Sequence, residues 1–228
     1  IPSTDEYTNR QSNATFVDGN GIIRTSYANL VKYSEDFTQS EWLTDRTTVT
    51  ANQTIAPDGT NTADLLSATV GTTGNHRLRD LNNNLGPHQY TFSVFVKPNT
   101  TSHIGFQMYK TGFGTILSTR YELDTETVHT GTGTPKITKY PDGWYLVEGT
   151  TILSTGEANT SFVIVLYRNN SDSINFTGAG ESLYLWGAQV VKNTEAGDYY
   201  KTTGTISGPP RYSHDPETLT PTGLYLEP

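Results

Sequence analysis

The chain contains no cysteine and one methionine, Met108. Disulfide scaffolding, thiol catalysis and Cys-based metal sites are therefore excluded, and nothing points to a redox compartment. Charged residues are scarce at 17%, hydrophobic ones reach only 33%, and mean hydropathy is -0.51. No apolar run approaches the roughly 20 residues of a membrane-spanning helix, and no signal-peptide pattern occurs. A formal charge of -8 leaves no Lys/Arg surplus for a phosphate backbone, so nucleic acid is excluded as partner. Helical periodicity is missing as well: no segment repeats apolar residues at i, i+3, i+4 and i+7. The chain opens on Ile1-Pro2, a start expected of a piece cut from something longer.

What fills these gaps is Thr, Asn, Ser and Gly, with 14 Tyr, 8 Phe and 3 Trp. Aromatic and β-branched residues suit twisted sheets, and 228 residues suffice for a sizeable core. The Asn-X-Ser/Thr triplets at Asn13, Asn52, Asn99, Asn159, Asn169 and Asn175 follow from this composition rather than marking a glycoprotein.

Strand patterns recur at short intervals between turn residues, as in a sandwich or barrel. "ATFVDGNGIIRTS" (residues 14–26) predicts strand, turn, strand. "QYTFSVFVKP" (89–98) places Tyr90, Phe92, Val94 and Val96 on one face, and Pro98 ends it. "SHIGFQMYK" (102–110) sets Ile104, Phe106 and Met108 opposite His103, Gln107 and Tyr109. "TSFVIVLYR" (160–168) is apolar on both faces and predicts a central strand. Pro141-Asp142-Gly143 predicts a turn before Trp144, with Gly143 free to take positive φ. "ESLYLWGAQVVK" (181–192) is the last core strand, and "PPRYSHDPETLTPTGLYLEP" (209–228) predicts a further strand, turn and strand.

Catalytic motifs are missing. "YSEDFTQSEW" gathers Glu35, Asp36 and Glu41, but a glycosidase needs two carboxylates facing across about 5–10 Å. Neighbours on extended chain point to opposite faces instead. The histidines at 76, 88, 103, 129 and 214 show no metal-ligand spacing. No G-x-S-x-G, P-loop or H-E-x-x-H occurs, and the DGNG at 18–21 lacks the later Glu of a calcium loop. The expectation is a protein that is not an enzyme and carries no cofactor.

Ligand binding has a subtler signal. With Leu78 in the core, Arg77 and Arg79 face outward together. Gln107 and Tyr109 do the same on their strand, and Tyr167 lies opposite Phe162, Ile164 and Leu166. Aromatic platforms beside Arg and Gln suit sugars, whose apolar C–H faces are ringed by hydroxyls. The competing reading is that these side chains simply coat a solvated sheet.

The ordered set "NLVKYSEDFTQSEW", "APDGTNTADLL", "YTFSVFVKP", "YPDGWYLVEGT" and "LYLWGAQV" resembles carbohydrate-binding-module-like jelly rolls of phage tail fibres and other virion proteins. The segments at 14–26 and 209–228 are similar to the connectors that flank such modules. The resemblance implies an all-β fold, an antiparallel two-sheet jelly-roll β-sandwich with flanking β arms. Its expected divisions are 1–29 as an N-terminal arm, 30–192 as the sandwich and 193–228 as linker and C-terminal arm. It further implies a virion or extracellular location, host-surface glycans and other virion subunits as partners, and a homo-oligomer with three-fold symmetry. Some relatives hold a structural calcium with a Glu at the opening turn and an Asp in the last strand. Here that last-strand position is Trp186, so the ligand set is incomplete. Two rival roles are a ligand-free capsid or tail decoration and an accessory domain of a polysaccharide depolymerase.

Overall fold

The computed structural model describes residues 14–17, 21, 23–110, 114–154, 157–169, 174–205, 211–215 and 217–225. The chain starts with a hairpin of β1 (Ala14–Val17) and β2 (Ile23–Ser26). After the YSEDF loop come β3 (Trp42–Asp45), β4 (Thr47–Thr54), β5 (Ala63–Ala68) and β6 (Thr73–Asn75). The central part is β7 (Arg77–Leu85), β8 (His88–Pro98), β9 (His103–Lys110), β10 (Gly114–Glu122), β11 (Thr127–Thr132) and β12 (Thr134–Lys139). Then follow β13 (Tyr145–Leu153), β14 (Glu157–Leu166), β15 (Asn175–Thr177) and β16 (Ser182–Val191). A second hairpin, β17 (Arg211–His214) with β18 (Pro221–Tyr225), closes the described chain, and β1 lies beside β17.

Ten antiparallel pairings build two six-stranded sheets, ordered β11-β10-β9-β14-β7-β3 and β12-β13-β8-β16-β5-β4. The fold is the expected all-β jelly-roll sandwich. The one helical turn among the described residues is a 3-10 turn at Pro141–Gly143, where Gly143 takes φ 78 and Asp142 φ 58. β14 and β16 occupy central positions, as their apolar runs on both faces require.

The core lies between the sheets. Phe92 of β8 stacks on Phe162 of β14, and Phe106 of β9 packs edge-on against both. Tyr90, Val94, Val96, Ile104 and Met108 are buried with them. Phe37 and Trp42 plug one edge, their rings 4.9 Å apart, and Trp42 donates its indole N–H to Tyr33 O.

A second apolar cluster sits on the outer face of the β8/β13/β16 sheet: Phe95, Trp144, Trp186, Ala56 and Ala63, with Leu146, Tyr184 and Tyr199 against it. The stretch expected to begin a linker at 193 covers this face. Gln189 donates to Ala196 O (2.9 Å) and Asp198 O (3.1 Å) and accepts from Tyr200 N–H (2.9 Å). Glu148 Oε1 accepts Ala196 N–H, while Thr91 and Thr150 donate to the carbonyls of Asn193 and Thr194. Thr202 then locks onto Ser34 and Val31. Trp144, expected to follow a turn into an apolar strand, is a core residue of this second cluster, held by its N–H to Ile55 O.

Candidate functional site

The YSEDF loop is the first place where acids gather. Glu35 accepts from Lys201 Nζ at 2.6 Å and Tyr199 OH at 3.1 Å. Asp36 accepts from Thr38 and Gln39; burial works against its ionisation, but these bonds outweigh it and hold the carboxyl below its ordinary range. Asp64 of β5 reaches in and accepts the N–H groups of Phe37 and Asn52, each at 2.9 Å. Its burial still pushes the carboxyl up, since only backbone dipoles answer the charge. A pocket of about 370 Å³ opens here, lined by Tyr33, Glu35, Asp36, Asn52, Asp64 and Lys201. Each of its carboxylates is engaged in closing the sandwich end. Among the described residues no group of His, Cys, Asp and Glu is arranged to hold a metal ion.

The outer face of the β9/β14/β7 sheet is the second place. Strand register brings the predicted residues into two rows. One runs Leu43, Arg79, Val163, Gln107, Ser118 across five adjacent strands. The next runs Asp45, Arg77, Val165, Gly105, Arg120, His129. Tyr109 sits further along β9, paired with Ser161 and Thr115; its side chain lies outside the described residues.

The face differs from the expected exposed platform in two ways. Gln107 is only 7% exposed and Tyr167 only 5%, so neither stands free in solvent. For Tyr167 the cause is Gly105, which carries no side chain at the centre of its row. A Cβ there would sit 2.5 Å from Tyr167 Cε2 and 2.8 Å from Thr119 O, so an edge of the Tyr167 ring occupies the room the glycine leaves. Val163 and Val165, both fully buried, form a dry floor with Tyr167, and Ile174 packs on it. Arg120 places its guanidinium 5.5 Å from the Tyr167 ring centre. Sequence reasoning missed Arg120 and Gly105 because only the pairing of β10 with β9 and of β9 with β14 brings them against Tyr167.

At the rim, Arg77 donates from Nε (3.2 Å) and Nη2 (2.5 Å) to one Asp45 oxygen, and Arg46 takes the other at 2.7 Å. Burial works against the ionised Asp45, but Arg77, Arg46 and Arg79 outweigh it and hold the carboxyl below its ordinary range. A depressed carboxyl adds stability above its unfolded pKa, about 3.9 for Asp. That increment is lost as pH falls through the lower folded value. Thermal melts between about pH 2 and pH 6 should show the midpoint dropping below about pH 4, and Asp45→Asn should flatten part of that slope. An unchanged slope in the variant would show that Asp45 is not among the groups responsible.

No family model and no curated protein sequence matches the chain. Similar solved structures include three of low sequence identity. The bacteriophage CBA120 tailspike protein 4 enzymatically active domain is 14% identical with a TM-score of 0.42, over 71% of this chain and 21% of that one. The Clostridium thermocellum xylanase 10B CBM22-1–GH10 modules, complexed with xylohexaose, are 13% identical with a TM-score of 0.42, over 74% and 28%. TmCBM61 in complex with β-1,4-galactotriose is 11% identical with a TM-score of 0.43, over 72% and 99%. The chain thus spans about a fifth of the tailspike domain's length and just over a quarter of the xylanase fragment's.

Proposed function

We propose that the chain is a non-enzymatic module of a phage tail fibre or spike that binds host-surface glycans along the outer face of the β9/β14/β7 sheet. One observation carries the reading: Arg79 and Gln107 flank Val163 in a single cross-strand row, over a dry valine floor closed at one end by Tyr167. Fixed donors above an apolar surface meet the needs of a sugar, which offers hydroxyls around apolar C–H faces. Arg77, on the next row, is anchored by Asp45 and serves to position the rim. Tyr109, on the same strand as Gln107, completes the set. The ordered motifs shared with phage jelly rolls support the virion setting. Assembly with other virion subunits, as a trimer, would run through the terminal hairpins, because isolated two-stranded ribbons leave edges that seek partners.

A ligand-free architectural role has one observation in its favour, the burial of Gln107 and Tyr167. A glycan array with the protein displayed multivalently on beads separates the two. Single-site affinities should be about millimolar to micromolar, roughly 4–8 kcal/mol, raised by multivalent display. The expected result is retention on at least one glycan class, lost in a Gln107→Ala/Tyr109→Ala double variant whose circular dichroism still shows the sandwich. No retention of the wild type on any glycan would leave the architectural role.

A further inference from the structure

Resting on the glycan-binding reading, we infer that the ligand is an anionic glycan, a chain whose repeating unit carries a carboxylate or a sulfate ester, docked against Arg79, with Arg120 adding positive charge from within the face. The whole chain is acidic at -8, yet this one face runs the other way. It holds Arg77 and Arg79 on β7 and Arg120 on β10, with His129 beside Arg120 on β11. The face's two described carboxylates lie at its edges. Asp45 is shared by Arg77 and Arg46, and Glu122 lies 3.7 Å from His103. Arg79 acts on Asp45 only at a distance and makes no ion pair with a carboxylate among the described residues, and its buried Nε meets no acceptor.

A buried guanidinium N–H without an acceptor is costly, and an incoming oxyanion removes that cost. Arg presents a planar fork of donors that matches carboxylate and sulfate oxygens in pairs, which hydroxyls of a neutral sugar do not. The geometry also sets direction. Arg79 on β7 and Arg120 on β10 are separated by β14 and β9, about 14–15 Å at the usual strand spacing of about 4.8 Å. An oligosaccharide lying across the strands would meet the half-buried Arg79 near one end, while Arg120 and Gln107, each 7% exposed, supply charge and polarity from within the face. The floor of Val163, Val165 and Tyr167 excludes water from beneath, which strengthens each charged contact above it.

Affinity electrophoresis tests this in gels containing polygalacturonate, the same polymer with its carboxyls reduced to hydroxyls, dextran sulfate, xylan, galactan or a single-stranded DNA. The expected result is retardation by polygalacturonate or dextran sulfate that weakens as salt rises, with at least a tenfold weaker effect of the carboxyl-reduced polymer and of neutral xylan and galactan. Which of the two acidic polymers retards more identifies carboxylate or sulfate as the preferred group. Arg79→Gln should lose at least tenfold in binding, whereas Lys136→Gln, on the opposite sheet, should lose nothing. Should Arg79→Gln fail to fold, the reduced polymer on wild-type protein still decides. Equal retardation by the native and reduced polymers would overturn the acidic preference while leaving glycan binding intact. Retardation by DNA equal to that by the acidic glycans, or equal loss in both variants, would overturn it as unspecific polyanion attraction. Absence of any retardation would overturn this inference together with the glycan reading on which it rests.

Discussion

Phe92→Ala costs the fold about 3–5 kcal/mol, the loss typical of a large buried aromatic truncated in a packed core. Phe92 is 1% exposed and sits where three rings from both sheets meet, stacked on Phe162 and edge-on to Phe106. Alanine would leave a void that neither neighbour can fill, because each ring is pinned by its own strand pairing: Phe162 opposite Asp80 and Met108, Phe106 opposite Thr119 and Ile164. The transfer and cavity contributions therefore both appear. Denaturant titration measures the change, and a loss under about 1 kcal/mol would mean that the two sheets do not meet at this position.

Gln189→Leu should lower stability by about 2–4 kcal/mol, since one buried amide satisfies several backbone groups at once and unsatisfied buried groups cost roughly 1–3 kcal/mol each. Leucine keeps the volume but leaves the carbonyls of Ala196 and Asp198 and the N–H of Tyr200 without their partner. With that bridge gone, residues 193–200 are expected to lift and expose these groups to water. Lifting also moves Tyr199 off Trp186, whose ring centres lie 4.7 Å apart. The variant should accordingly show red-shifted tryptophan emission before global unfolding, and faster hydrogen exchange confined to this stretch. Emission and exchange identical to the wild type would place the anchoring elsewhere, in Glu148 and the two threonines.

The sandwich was legible in the sequence wherever a strand's pattern depends on its own residues. The two-sided apolar run at 160–168 needs a central place in a sheet, and β14 has it. The alternation of Tyr90, Phe92, Val94 and Val96 needs one buried face, and all are buried. Less legible were features decided by a second segment far away. Tyr167 reads as a surface aromatic, because the glycine that receives its ring is 62 positions earlier and on another strand. Phe95 and Trp186 alternate outward, away from the core, and are buried by the 55–62 loop and Trp144 together with residues 193–203, which return over them. That return is written in Asn, Thr, Glu, Gly and Asp, a composition that reads as linker. Its backbone groups find their partners in Gln189, Glu148, Thr91 and Thr150 rather than within the segment. The arginine face was half visible: Arg77 and Arg79 declare themselves by alternation around Leu78, while Arg120 reaches the same face only through β9 and β14.

The closeness of β1 and β17 has a mechanical consequence. A pull applied at the two hairpins enters and leaves the protein at neighbouring points. Tension would load the contact between the hairpins and then the short stretches leading from them, peeling outward from one corner. The twelve strands of the two sheets would stay off the line of force. A sandwich hung in this way keeps the outer faces of both sheets out of the loaded path.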